Sequence, residues 1–165
     1  MMEKEVKTMN CVTATGGTKK QRELVTAIAY YCIDKLMPRH RTLDIEIMLT
    51  KTFESGAWGY CYAMDTDREF TVEIDKRIIK FCDESKDFGD GLDAFIETVC
   101  HEMVHVMQTA KGLLVDRVYP KKLGYRQLWK GVDHTKTSYS KKPWERQAYR
   151  MQAGLLKGFK EYYYG

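Results

Sequence analysis

The 165-residue chain has few of the features that mark membrane proteins and secreted proteins. It contains no apolar run that approaches the roughly 18 residues needed to span a bilayer. Residues 1–7 are largely charged and include no apolar segment of the kind found in secretory signals. These absences predict a cytoplasmic protein without a membrane partner, which would act in the host cytoplasm if the chain is viral.

Cysteine pairs, internal repeats and linkers are also missing. The five cysteines are an odd number without a Cys-x-x-Cys pair, which favours reduced thiols over a disulfide framework or a second zinc site. The net charge of +4 is too small to identify a partner. We expect a flexible leader over residues 1–17, which carry Thr-Ala-Thr-Gly-Gly, and a single domain over residues 18–165.

One short motif carries recognisable chemistry, His101-Glu102-Met103-Val104-His105. Residues four apart lie on the same face of a helix, so His101 and His105 can offer two imidazole nitrogens to one metal ion. Glu102 lies close enough to receive a proton from a metal-bound water. Two ligands and a general base on one helix are the pattern of a zinc hydrolase.

A motif of this length can arise by chance, so the residues around it matter. Apolar side chains recur at helical spacing around it and form a stripe roughly opposite the two histidines. The stripe consists of Leu92, Phe95, Ile96, Val99, Met103, Val106 and Met107. We expect the stripe to be buried in the core, which leaves the helix face with His101 and His105 available to a metal ion.

The remaining pattern predicts an α+β fold. Helical periodicity indicates a helix over 19–36, the motif helix over 91–110 with Gly112 as its cap, and a last helix that begins at Pro143. Alternation predicts strands over 43–50, 57–64 and 69–75, the last two as a hairpin. Between the sheet and the motif helix we expect a helical turn over 77–82 and a polar loop over 83–90.

The segment 111–142 is basic and rich in aromatic residues. It holds nine Lys or Arg against only Asp116 and Asp133, and Tyr119, Tyr125, Trp129 and Tyr139 lie among them. One interpretation is a solvated loop with a few aromatic anchors. The other is a basic cleft wall that meets an acidic protein surface or a nucleic acid.

The order of these elements resembles the minimal zincin fold of zinc metallopeptidases over residues 19–160. The stretch 101–108, followed by Tyr139 and by Pro143-Trp144-Glu145-Arg146-Gln147-Ala148, looks like small phage and bacterial zincins of the gluzincin type. The resemblance implies an N-terminal helix, a small three-stranded, mainly antiparallel sheet, the motif helix, and a C-terminal helix that carries the third ligand. It also implies one Zn²⁺ per chain and a protein or peptide substrate.

Two residues are candidates for the third ligand. Glu145 is favoured by the gluzincin resemblance, although an acidic residue in the first turn of a helix also suits the helix dipole. His134, in a loop-like sequence, would correspond to the third histidine of SprT-like proteases. The metzincin pattern is excluded, since it needs glycine and histidine where Gln108 and Lys111 stand.

The resemblance implies a zinc-dependent endopeptidase with Glu102 as the general base. Tyr139 and His134 are candidate donors to the oxyanion, and strand 69–75 is expected to pair with an extended substrate. Gln108 could brace a metal ligand, but a plain polar role on the helix surface is the simpler interpretation. Two alternatives remain, a SprT-like, nucleic-acid-associated zinc protein that uses the segment 111–142 and a catalytically idle zincin scaffold.

Overall fold

The computed structural model describes residues 9–50, 57–64, 66–78, 91–119 and 124–165. Within these ranges the fold is α+β, as predicted. The helices are α1 (Lys19–Leu36), α2 (Gly91–Ala110) and α3 (Pro143–Tyr164), and a 3₁₀ turn covers Tyr139–Lys141. The strands are β1 (Cys11–Gly16), β2 (Asp44–Thr50), β3 (Gly59–Ala63), β4 (Glu69–Asp75), β5 (Leu114–Tyr119), β6 (Gly124–Trp129) and β7 (Val132–Asp133).

The larger sheet has four strands in the order β1-β2-β4-β3. The antiparallel hairpin of β3 and β4 confirms the predicted one, but β1 pairs in parallel with β2, and β2 pairs in parallel with β4. The expectation of three mainly antiparallel strands was therefore wrong in strand number and in direction. Parallel partners lie far apart in sequence, so alternation within each strand could not reveal their pairing.

The added strand β1 lies in the segment that was predicted to be a flexible leader. The prediction was therefore wrong for residues 11–16, which form a strand. Asn10 fixes the start of β1, because its side chain accepts from the backbone N–H of Leu43 (2.9 Å) and donates to the carbonyl of His40 (2.7 Å). The backbone N–H of Val12 donates to the hydroxyl of Tyr30, and the Val12 side chain is buried. Residues 1–8 lie outside the described ranges.

Helices α1 and α2 share one hydrophobic core with the larger sheet. The predicted alternation in β4 is confirmed, since Phe70, Val72 and Ile74 are all buried. Helix α3 packs against α2 and contributes Ala148, Leu155 and Phe159 to the same core. This packing sets the face of α2 that bears the two histidines against the first turns of α3.

The chain from α2 to α3 forms a second, smaller sheet in the order β5-β6-β7, with antiparallel pairing. The interpretation of the segment 111–142 as a loop was therefore wrong where the chain forms β5, β6 and β7. Its strands lack a clean alternation because most of their described side chains are half-buried or exposed. Gly112 caps α2 with a φ of +72°, as predicted, and turns the chain into β5.

Most of the predicted helical turn and the whole predicted loop before α2 lie outside the described residues, which resume at Gly91. Among the helices that the structure describes, none is both long and apolar enough to cross a membrane.

Candidate metal centre

Two neighbouring helices bring His101, His105 and Glu145 together. The histidines lie one turn apart on α2, and Pro143 begins α3 so that Glu145 falls in its first turn. The Nε2 atoms of the two histidines are 3.2 Å apart. The Glu145 carboxylate lies 3.2 Å from Nε2 of His101 and 3.1 Å from Nε2 of His105. The structure thus unites the two motif histidines with the first candidate for a third ligand.

These separations match the edges of a zinc coordination shell. Ligand atoms about 2.0 Å from a tetrahedral zinc ion lie about 3.3 Å from one another. The separation of the two Nε2 atoms is within roughly 0.2 Å of that length, and each oxygen of Glu145 lies at a similar distance from one of them, Oε2 from His101 and Oε1 from His105. Two imidazoles and one carboxylate are also the ligand set of many catalytic zinc sites with an open fourth position.

Hydrogen bonds determine which nitrogen of His105 carries its proton. The side-chain amide of Gln108, which is fully buried, donates to the backbone carbonyl of Trp144 (2.9 Å) and to the side-chain oxygen of Gln147 (2.9 Å). Because its nitrogen is used there, its oxygen is the atom that faces Nδ1 of His105 at 2.8 Å. Nδ1 must therefore be the donor, and Nε2 keeps a free electron pair.

The same logic applies to His101. The amide nitrogen of Gln152 donates to the carboxylate of Glu97 (2.7 Å), an acceptor only. The oxygen of Gln152 therefore faces Nδ1 of His101, at 2.7 Å. His101 is fixed as the tautomer protonated on Nδ1, with the electron pair of Nε2 directed towards His105 and Glu145.

When both histidines are neutral, two electron pairs and a carboxylate thus converge on one point with no hydrogen between them. Such an arrangement is repulsive unless positive charge lies at its centre. Burial lowers the pKa of His105, but its hydrogen bonds with Glu145 and Gln108 and the charges of Glu102 and Glu145 together raise it, so the net shift is upward. The cluster therefore attracts positive charge, and its residues fit a metal ion of the kind that imidazole and carboxylate bind.

Glu102 lies beside this cluster in a nearly closed position. Its side chain is only 6% exposed and lines the cleft with the two histidines. Burial raises the pKa of its carboxyl, and although both histidines lower it, the net shift is upward. Gly59 of β3 provides the space, because a Cβ atom there would lie 3.0 Å from Oε1 of Glu102. A carboxylate with a raised pKa suits a general base.

Tyr139 contributes a hydroxyl next to Glu145. It donates to Oε2 of Glu145 at 2.8 Å and shares a second hydrogen bond with Tyr149. Burial and these two partners raise the pKa of Tyr139 far above its ordinary value, so the phenol remains a donor. The ring of Tyr149 meets the ring of His101 edge-on, with centroids 4.7 Å apart.

His134, the rival for the third ligand, lies elsewhere. Its Nδ1 atom is 3.1 Å from the hydroxyl of Thr137, and its ring packs edge-on against Trp144 with centroids 6.2 Å apart. Among the described residues it belongs neither to the cluster of possible ligands nor to the cleft lining. The structure thus places His134 away from the residues with which it would act as metal ligand or oxyanion donor.

The cluster opens into a cleft with two halves. The larger half has a volume of about 740 Å³ and extends from His105 to the smaller sheet. The smaller half has a volume of about 550 Å³ and extends along Glu97 and Gln152. His101, Glu102 and Tyr139 border both halves. His101, the member of the candidate metal cluster that borders both halves, therefore lies where they meet.

The edge of the larger sheet that borders this cleft is β3. The prediction that strand 69–75 pairs with a substrate was wrong, because β4 already has β2 on one side and β3 on the other. Backbone bonds from Met64 to Glu69 and from Asp75 to Trp58 show that even-numbered residues of β3 face β4. Gly59, Cys61 and Ala63 therefore direct their N–H and C=O groups outwards.

Sequence reasoning undervalued or missed three residues of this site. Gln108 was treated as a surface polar residue, although it holds His105. Gln152 lies seven residues after Glu145 on α3, and Glu97 lies four residues before His101 on α2, so helical spacing places them on the same helix faces as Glu145 and His101. Their function became visible only once α2 and α3 were packed together.

Comparisons with models of protein families, with curated proteins and with solved structures gave no match for this chain. The functional argument therefore depends on the geometry of the centre itself.

Proposed function

We propose that the chain is a zinc-dependent endopeptidase. The observation that carries this proposal is the convergence of His101, His105 and Glu145, with both histidine tautomers fixed for binding a metal through Nε2. Glu102 adds a buried carboxylate at the same point of the cleft. A site with only a structural role would not need that carboxylate, which argues against an idle scaffold.

Each residue has a distinct task in this proposal. Zinc, when bound, would activate a water and polarise the carbonyl of the substrate. Glu102 takes a proton from the attacking water and returns it to the leaving amine. Tyr139, which remains protonated, would turn its single O–H from Oε2 of Glu145 to the oxygen that becomes negative.

Cleavage within a chain, rather than at its end, is supported by the shape of the cleft. Its two halves lie on opposite sides of His101 and Glu102 and share Gly59 as a border. The outward backbone groups of β3 can add an extended peptide as a further antiparallel strand. A peptide bound in this way would continue on both sides of the metal centre.

The alternative of a nucleic-acid-associated zinc protein gains no specific support. Among the described basic residues of the segment 111–142, Arg126 pairs with Asp133 at 3.4 Å and Lys142 binds the side chain of Gln127. Lys121 and Lys122 lie outside the described ranges. The alternative remains a prediction from sequence, which salt-dependent binding to nucleic acid would support.

The experiment that tests the proposal compares wild type with Glu102→Gln after both are loaded with zinc. We expect Glu102→Gln to retain zinc and to lose about 10²–10⁴-fold in kcat/KM, because it removes the proton acceptor alone. Hydrolysis is measured with a library of internally quenched peptides, and zinc is measured on the same samples. Equal activity of the two proteins, or no cleavage of any library member by zinc-loaded wild type, would refute the proposal.

A further inference from the structure

The cleft is acidic although the protein is basic. The chain has 27 Lys and Arg against 23 Asp and Glu, yet none of the described residues that line either half of the cleft is Lys or Arg. Besides Glu145 and Glu102, each half holds one additional carboxylate, Asp116 in the larger half and Glu97 in the smaller. A divalent cation at the centre would offset Glu145 and Glu102 and leave these two unbalanced.

Asp116 is held so that its carboxylate faces the cleft. It lies on β5 opposite Gln127 of β6, and Gln127 donates to its Oδ2 at 3.3 Å. The hydroxyl of Tyr125 forms a second hydrogen bond with it. Lys142 binds the amide oxygen of Gln127 and lies over the ring of Trp144, 5.1 Å from its centroid, but it does not line the cleft.

Aromatic side chains along the edge strand add a second source of affinity for cations. Tyr60 and Tyr62 line the larger half with their rings stacked 5.9 Å apart, and Trp58 lines the smaller half. Trp58 is 44% exposed and Tyr62 is 45% exposed, so both present an accessible ring. Lysine and arginine side chains bind favourably to such faces as well as to carboxylates.

We propose that the substrate is a cationic peptide with Lys or Arg on both sides of the scissile bond, and that Asp116 recognises one of these side chains. The inference rests on the proposed peptidase function, since it names the substrate class for the same cleft. Carboxylates in a cleft with low-dielectric walls concentrate cationic partners, which opposes the repulsion expected from the net charge of +4. Asp116 is the better test residue, because Glu97 also braces Gln152 beside His101.

The test is a binding experiment on zinc-loaded Glu102→Gln, which separates recognition from cleavage. Fluorescent peptides of one length carry Lys, Gln or Glu on either side of a constant centre, and their Kd values are measured by anisotropy. We expect the Lys peptide to bind most tightly and its affinity to fall about fivefold when Asp116→Asn is added, the scale of one solvent-accessible ion pair. Asp116→Lys should reverse the order and favour the Glu peptide.

Asp133→Asn is the matched control. It removes the same charge from the same small sheet, but Asp133 pairs with Arg126 and does not line the cleft. Equal affinity for the Lys and Gln peptides, or equal losses in Asp116→Asn and Asp133→Asn, would overturn the inference.

The two proposals fail in different ways. Cleavage of Gln and Lys peptides at the same rate by wild type would preserve the peptidase and reject the cationic preference. Selective binding of the Lys peptide, without hydrolysis of any peptide by zinc-loaded wild type, would preserve the recognition and reject the peptidase.

Discussion

At the scale of single residues, the site depends on which nitrogen of each histidine carries a proton. Gln108 and Gln152 fix that choice for His105 and His101, because the nitrogen of each amide is engaged by an acceptor that cannot donate. The motif predicted the two histidines directly from their spacing. The sequence allows Gln108 to be a brace but favours a plain polar role, and it does not single out Gln152, because polar residues on helices are usually solvated and the acceptors of the two amide nitrogens lie 36 and 55 residues away.

Gln152→Met tests the bracing of His101. The variant keeps the length of the side chain but removes the oxygen that accepts from Nδ1, so His101 can adopt the tautomer that does not present Nε2 to a metal. We expect zinc affinity to fall about 10–100-fold, as for other residues that brace a metal ligand. The zinc affinity of each variant is measured by competition against a zinc chelator.

Arg150→Met provides the control, since Arg150 is exposed on the same helix. If both variants bound zinc as tightly as wild type, the glutamine would have no part in setting the metal site.

At the scale of elements, helices and the hairpin were predictable because their signals are local. The predicted bounds 19–36 and 91–110 coincide with α1 and α2. The missed strand β1 has a weak signal, Val12 and Ala14 alternating with Thr13 and Thr15, next to two glycines. The strand is stabilised by pairing with β2, which is distant in sequence, and a local sequence pattern cannot predict such pairing.

The approach of β3 to α2 gives a prediction at this scale. In Gly59→Ala the new Cβ would lie 3.0 Å from Cγ and Oε1 of Glu102 and 3.2 Å from Cγ2 of Thr98, so Glu102 must move. We expect kcat/KM to fall at least about tenfold, because a small displacement of a catalytic group is costly. Zinc content should not change, since the three proposed ligands are untouched.

Gly154→Ala is the counterpart on α3, where an added Cβ meets nothing within 4 Å. Alanine is the better helix former, so this variant should keep full activity and gain roughly 0.5–1 kcal/mol in the free energy of unfolding. Denaturant titration measures that gain. Unchanged kinetics in Gly59→Ala would show that Glu102 tolerates contact with β3.

At the scale of the whole molecule, the candidate metal site lies between two helices, and the smaller sheet connects these helices along the chain. Helix α2 supplies His101, His105 and Glu102, while α3 supplies Glu145 and Gln152. The order of the three helices and of β2, β3 and β4 was readable from sequence. The parallel strands and the smaller sheet were not readable, because their pairing is not written in local periodicity.

The central claim is that His101, His105 and Glu145 bind one zinc ion. The most direct measurement is zinc per chain by elemental analysis in wild type, Glu145→Ala and His134→Ala, purified side by side and reconstituted alike. The account predicts about one zinc in wild type and in His134→Ala and loss of most of it in Glu145→Ala, because catalytic zinc is commonly held by three protein ligands. Wild type without zinc after reconstitution, or a Glu145→Ala variant that keeps it, would contradict the account.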